Sequence, residues 1–336
     1  MLNALTIDVE DYFQVSAFEQ HIRRDKWNNF PLRVERNTLR ILDRLDEFGV
    51  KATFFVLGWV AERCPELVRE IAIRGHEVAS HGYGHKRVCN QTRTEFREDI
   101  RISKALLEDL CGLPVYGYRA PSYSISLDCL WAYDELLEAG YRYDSSVFPI
   151  RHDLYGIPDW PRYPFTVSKG ADGTWGPSIS PASPLSTDRY SLPGDDGSKS
   201  IREIPITTLS IAGKSIPIAG GGYFRLFPYA FTHWGLQRIN RVEGRPFVFY
   251  LHPWELDPGQ PRVIGANPKS RFRHYLNLHK TEGRFRRILG EFSFAPVREV
   301  SWVPLTPEPL LHDDEKIRYT LQPGDDGRRT GEGGQG

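Results

Sequence analysis

An α/β architecture, with parallel strands and outer helices, follows from three observations. Short apolar runs alternate with segments of helical periodicity along the first 150 residues. The acidic cluster Asp8, Glu10 and Asp11 ends the first apolar run, where the carboxyl edge of a parallel sheet collects functional side chains. His252 stands in the same relation to a second run, Phe247 to Leu251.

The elements follow in order. Leu2 to Val9 reads as a buried strand. An amphipathic helix is predicted from Arg36 to Phe48, with Ile41, Leu42, Leu45 and Phe48 on one face and Gly49 as its stop. Ala52 to Leu57 is the next strand. Pro65 opens a helix that runs to Arg74, and Glu77 to Ala79 returns as a strand. Thr94 to Leu110 makes a long helix carrying Ile100, Leu107 and Leu110 on one side. Val115 to Tyr118, a helix around Leu130 to Ala139 and the stretch near Tyr143 continue the alternation. From Ile150 to Lys199 the rhythm fails, and prolines, glycines and serines surround scattered aromatics. The run Gly220 to Tyr229 reads either as a glycan contact or as a helix-entry turn with core aromatics. The basic stretch Lys269 to Arg287 reads as a solvated helix face, with a dock for an anionic or lipid-phosphate-linked glycan as its alternative. Beyond Thr306 the chain turns polar and Gly-rich, and 312–336 reads as a disordered tail.

Within this frame five short segments carry chemistry: TIDVED at 6–11, SHGYGH at 80–85, RAPSYS at 119–124, YDSS at 143–146 and LHPWE at 251–255. His81 and His85 lie four residues apart, a spacing at which two imidazoles can grip one cation. Alone, such a pair reads as readily as two surface or satisfied core histidines. Gly82 and Gly84 argue against a regular helix there, and the acidic cluster supplies the oxygen donor that two neutral imidazoles would need. Arg119 before Ala120 and Pro121 reads in isolation as a strand ending at a turn, and Asp144 with Ser145 and Ser146 as a cap or turn.

With these five segments in this order, the chain resembles the polysaccharide deacetylases of the NodB-homology type, carbohydrate esterase family 4. It is most similar to the branch found beside exopolysaccharide and PEP-CTERM/exosortase loci, whose members open with DVEDYF and carry a C-terminal extension. The resemblance implies a distorted (β/α) barrel of about seven strands. It implies a NodB-like domain over 1–260 with an irregular insert at 150–200. An extension packed on the barrel follows over 261–306, with a start near 200 as the alternative, and then a disordered tail over 307–336.

By position, the resemblance makes Asp8 the general base, Glu10 the metal carboxylate with Asp11 in reserve, and His81 and His85 the metal histidines. Arg119 holds the base, and Asp144 with His252 forms the acid side. The family's tyrosine after the RxP proline is Ser122 here, with Tyr123 one place later, so the backbone N–H of the oxyanion site stays unassigned. Tyr123, Trp254 and Tyr223 are the candidate glycan contacts, with packing the favoured reading of Trp254. The implied cofactor is a divalent metal, zinc foremost, with Co²⁺, Mn²⁺, Ni²⁺ and Fe²⁺ suited to the same ligands. The implied partner is an N-acetylated glycan or lipid-linked glycan precursor, in association with exopolysaccharide synthesis machinery.

The leading function is thus a metal-dependent hydrolase that removes N-acetyl groups from amino sugars of an exopolysaccharide or its precursor. Its alternatives are an allantoinase-like or peptidoglycan-directed amide hydrolase and, outside catalysis, an inactive glycan-binding protein. The composition fits one large enzyme domain: 336 residues, 40% hydrophobic, with 43 acidic and 43 basic side chains. That zero balance gives no support for nucleic-acid binding. Cys64, Cys89, Cys111 and Cys129 form no CxxC, which indicates neither a zinc knuckle nor a dense disulfide framework and fits a reducing compartment. The opening residues lack the pattern of a secretory signal and no apolar run reaches the ~18 residues of a membrane span, so a cytoplasmic protein without a transmembrane segment is expected.

Overall fold

The computed structural model describes residues 1–152, 155–178 and 199–300. The element order is β1 (Leu2–Val9), α1 (Val34–Glu47), β2 (Thr53–Val56), α2 (Gly58–Arg63), α3 (Pro65–Ile73), β3 (Glu77–Ser80), α4 (Arg93–Cys111), β4 (Gly117–Tyr118), α5 (Ala132–Glu138) and β5 (Tyr143–Asp144). There follow β6 (Phe165–Lys169), β7 (Trp175–Pro177), β8 (Ser200–Glu203), β9 (Thr208–Ile211), β10 (Lys214–Pro217), α6 (Gly221–Leu226), α7 (Tyr229–Arg241) and β11 (Val248–Leu251). The described chain ends with α8 (Pro268–Tyr275), α9 (Leu278–Glu291) and β12 (Ser293–Ala295).

Seven strands run parallel in the order β11-β1-β2-β3-β4-β5-β8. β6 and β7 extend the β8 edge in antiparallel sense, and β12 pairs with the start of β1. β8 and β11 do not share a ladder among the described residues. The gap is bridged instead by the Tyr250 N–H on Ala219 O (3.0 Å) and the Val248 N–H on Thr207 Oγ1 (2.8 Å). The parallel strands with helices between them are those the alternation predicts, and their incomplete closure is the distorted (β/α) barrel of about seven strands that the family resemblance implies. β1 is buried from Asn3 to Val9 because neighbours flank it on both sides, which is why it reads as one apolar run.

The helix ends show local chemistry at work. Thr92 and Glu95 form a reciprocal capping box at the start of α4, and Gly112 closes that helix at φ 67°. α1 begins two residues earlier than its apolar periodicity predicts, since the Asp11 carboxylate accepts the Arg33 and Val34 N–H groups (2.6 and 2.9 Å). β4 is shorter than predicted because the Glu108 carboxylate takes the Val115 N–H at 2.9 Å in place of a neighbouring strand.

Two expectations change, and between them the structure decides for the helix-entry reading of 220–229. The irregular stretch 150–200 contains β6 and β7, whose Phe165, Val167 and Trp175 are buried; 153–154 and 179–198 lie outside the described residues, as does the predicted tail. In the run 220–229 the glycine serves packing rather than a ligand: a Cβ on Gly220 (φ 132°) would stand 2.0 Å from Tyr250 O, so only glycine lets this segment lie against β11. Lastly, a disulfide joins Cys89 to Cys129, while Cys64 and Cys111 are free. Its partners lie 40 residues apart and no spacing rule links them. No helix among the described residues is long and apolar enough to cross a membrane.

Candidate metal and acid–base site

The carboxyl ends of β1, β3, β4 and β11 open onto a single cavity of about 140 Å³, lined by Asp8, Glu10, Val15, Ser16, His81, His85, Ser122, Tyr123, His252 and Trp254. Glu10, His81 and His85 each offer one ligand atom, all within 4.8 Å of one another, and all three side chains are buried. One carboxylate oxygen and two imidazole nitrogens form a donor set that suits a divalent ion with positions left open for other ligands.

Each donor is aimed by the backbone around it. His81 Nδ1 lies 2.8 Å from Arg119 O, which leaves Nε2 for the cavity. Burial pushes its pKa down to about 4, so the ring stays neutral as a ligand must. His85 Nε2 stands 2.7 Å from Glu10 Oε2. Burial alone would raise the Glu10 pKa, yet His85, with help from His252 and His81, holds it near 2. The intervening loop is fixed by Asp99, which accepts the Tyr83 and Gly84 N–H groups, and by Arg24, which donates to Gly84 O and His85 O. A Cβ on Gly82 would fall 2.7 Å from Asp99 Oδ1 at a backbone φ of 71°, so this turn requires glycine.

Asp8 is 2% exposed and meets the fully buried Arg119 through Nη1 at 2.6 Å. The guanidinium is itself held by Thr6 Oγ1 (2.9 Å), Ser145 O (3.1 Å) and Ser145 Oγ (2.9 Å), and it lies over the Phe55 ring. Taking Arg119 away would leave a buried carboxylate uncompensated, at a cost of about 3–5 kcal/mol.

His252 Nε2 faces Asp8 Oδ2 at 3.8 Å and Glu10 Oε1 at 3.6 Å. Its Nδ1 lies 2.7 Å from Glu255 Oε1, and Glu255 Oε2 accepts Arg225 Nε at 2.6 Å. Burial lowers the His252 pKa, but the Glu255 hydrogen bond and the Glu10, Glu255 and Asp8 charges outweigh it and raise the value to about 9.

The expected pairing of Asp144 with His252 is corrected here. Asp144 accepts the Ser146 hydroxyl at 2.5 Å, interacts with Glu203, and is raised by burial to about 6. Its β5 position directs it into the barrel wall, and the carboxylate on His252 is Glu255, three residues further on. Glu255 stands in the LHPWE segment, where the i,i+3 spacing across a Pro-initiated turn could have pointed to it. Arg225 carries no such signal, since it arrives from 30 residues upstream.

Asp11 turns away from the cavity to the start of α1, with Oδ1 on the Tyr12 N–H at 2.8 Å. Trp254 lines the cavity and also donates from Nε1 to Glu10 Oε1 (3.2 Å), stacked between His252 and His274 at centroid distances of 5.3 and 4.1 Å. Tyr123 lines the cavity, whereas Tyr223 stands outside that lining, against Phe227. Ser16 was not singled out by the sequence; its hydroxyl meets that of Ser122 across the cavity rim. Backbone strain gathers here: of five non-glycine residues at positive φ among the described residues, His85, Ser122 and Tyr123 all line the cavity.

Residues 26–143 match the polysaccharide deacetylase family, and residues 178–301 match a domain of unknown function, DUF3473. Among curated proteins, a peptidoglycan-N-acetylglucosamine deacetylase of Bacillus cereus is 38% identical over 84 residues, covering 25% of this chain and 30% of that protein. A peptidoglycan deacetylase-like protein of Gibberella zeae is 34% identical over 148 residues, covering 42% of each. The chain thus spans less than half the length of these relatives. A solved structure from Mycobacterium smegmatis, assigned as a polysaccharide deacetylase, is 20% identical with a TM-score of 0.49 and covers 87% of this chain and 85% of that one. The chain carries a polysaccharide deacetylase domain of the NodB-homology type.

Proposed function

We propose that this protein removes N-acetyl groups from amino sugars of an exopolysaccharide or its lipid-linked precursor, with a divalent ion, zinc foremost, held by Glu10, His81 and His85. The observation that carries this reading is the convergence of a three-donor cluster, an Arg-held carboxylate and a Glu-held imidazole on one cavity. The similarity to the Bacillus cereus peptidoglycan-N-acetylglucosamine deacetylase supports the choice of amide.

When bound, the ion supplies Lewis acidity toward an amide carbonyl and lowers the pKa of a water ligand from 15.7 towards ~7. The chain supplies the proton traffic. Asp8, oriented by Arg119 Nη1, is the base that takes the proton of the attacking water. His252, held as an imidazolium by Glu255, is the acid that protonates the departing amine. Its Nε2 lies within 4 Å of the base, so both arms reach one substrate amide. The Ser122 backbone, at φ 56°, shares the wall on which the carbonyl oxygen would gather charge.

The test is acetate release from N-acetylglucosamine oligomers by metal-loaded protein, with Asp8→Asn and His81→Ala beside the wild type. Release by the wild type alone is expected. Silence from all three, with metal bound in the wild type, would move the activity to another amide or to glycan binding.

A further inference from the structure

We propose that the surface formed by α8 and the loop before it seats the protein on a lipid bilayer bearing anionic head groups. No Asp or Glu occurs between Asp257 and Glu282, while Arg262, Lys269, Arg271 and Arg273 all fall in that interval and are exposed. Among the described residues none of these four cations joins an ion pair, whereas exposed Arg23, Arg36, Arg69 and Arg93 do. Two large apolar side chains stand among them: Ile264 is 95% exposed and Phe272 is 60% exposed.

These residues form one patch. Tyr275, one helical turn from Phe272, accepts the Val263 N–H on its phenol oxygen at 2.8 Å and carries the Arg262 guanidinium 4.0 Å above its ring. The loop bearing Ile264 is therefore tied to the end of α8 that bears Phe272 and Arg273. Exposed apolar side chains beside cations that form no ion pair among the described residues match the two attractions of an anionic bilayer: insertion of the apolar groups at the head-group boundary and attraction of the charges. A soluble polyanion would use the cations and leave Ile264 and Phe272 in water.

The patch also borders the cavity. His274 of α8 is buried 4.1 Å from the Trp254 ring that lines it, and α8 packs on the segment beginning at Ser16, a rim residue. This inference rests on the function proposed above for its meaning: a protein seated by α8 would present its cavity to glycan at the membrane surface.

The experiment is co-sedimentation with vesicles of phosphatidylcholine alone and of phosphatidylcholine with phosphatidylglycerol, at low and high salt. Wild type, Lys269→Ala/Arg271→Ala and Ile264→Ser/Phe272→Ser are compared, with thermal melts to confirm folding. Binding to the phosphatidylglycerol vesicles that weakens with salt is expected. Each cation near such a surface is worth about fivefold in partitioning, so the double charge variant should bind about 25-fold more weakly. The apolar variant should lose affinity while keeping its salt dependence. Wild type left in the supernatant at low salt, binding unchanged in both variants, or capture by soluble polyphosphate without vesicle binding would each overturn the proposal. Acetate release from soluble oligomers should stay within about twofold across all three proteins, since none of these side chains touches the cavity. A wild type that binds vesicles but releases no acetate would sink the deacetylase reading and leave the membrane surface standing.

Discussion

On one side of the cavity the proposed metal donors and base stand at the carboxyl ends of β1 and β3, which flank β2, and their partners are backbone carbonyls and a buried arginine from the first 146 residues. On the other side His252 depends on Glu255 and, through it, on Arg225 of α6, whose Nη1 is tied to His274 O and Leu276 O. The first side is fixed by sheet geometry. The second is assembled by elements that arrive late in the sequence, so the C-terminal half completes the proposed acid arm of the site.

The sharpest way to break this comparison is to remove each arm singly. Asp8→Asn should lower the rate of acetate release by 10²–10⁴ while metal content stays unchanged, because Asp8 is outside the donor cluster. A loss below tenfold would place the base elsewhere.

Glu255→Gln tests the late-built arm, and a rate loss of about 10²-fold is expected as His252 loses the partner that keeps it charged. The pH dependence has a definite sign. His252 has a folded pKa of about 9 against 6.5 ordinarily, so the stability it contributes to metal-free protein is complete below pH 6.5 and is lost as pH rises through 9. Urea melts of metal-free protein should show that loss, up to about 3 kcal/mol, in the wild type. A Glu255→Gln protein with an unchanged profile would mean that Glu255 does not govern His252.

Trp254→Phe probes the hydrogen bond from Trp254 Nε1 to Glu10 Oε1, which joins the late side to the donor cluster. Loss of the indole N–H from Glu10 should weaken metal binding about 10–100-fold, with the ring stack against His274 kept. Unchanged affinity by metal titration would reduce Trp254 to packing.

What could be read from the sequence follows the same division. β1, α1, β2 and the long α4 were legible because periodicity, caps and apolar runs are local signals. The strand end and the HxxxH spacing offered an acidic cluster and two histidines, and the family resemblance chose Glu10, His81 and His85 among them, the three that the fold gathers. The partner of His252 was not legible, since Asp144 and Glu255 are both acids near strand ends and only the turn after β11 decides which one reaches the ring. Arg225 was hidden by a contact between segments 30 residues apart, and the Cys89–Cys129 bond by one 40 residues apart.

The smallest effect on the metal separates two neighbouring carboxylates. Glu10→Ala should abolish stoichiometric metal binding, whereas Asp11→Ala should leave it within about threefold, because the Asp11 oxygens are spent on the Tyr12, Arg33 and Val34 N–H groups. Asp11→Ala should instead lower the unfolding free energy by about 1–3 kcal/mol, as three buried donors lose their acceptor and the start of α1 frays. Metal titration and denaturant melts on the two variants distinguish a ligand from a helix cap. Loss of metal from both would mean that the α1 entry and the donor cluster form one cooperative unit, and the early side of the cavity would then be less self-contained than its strand geometry implies.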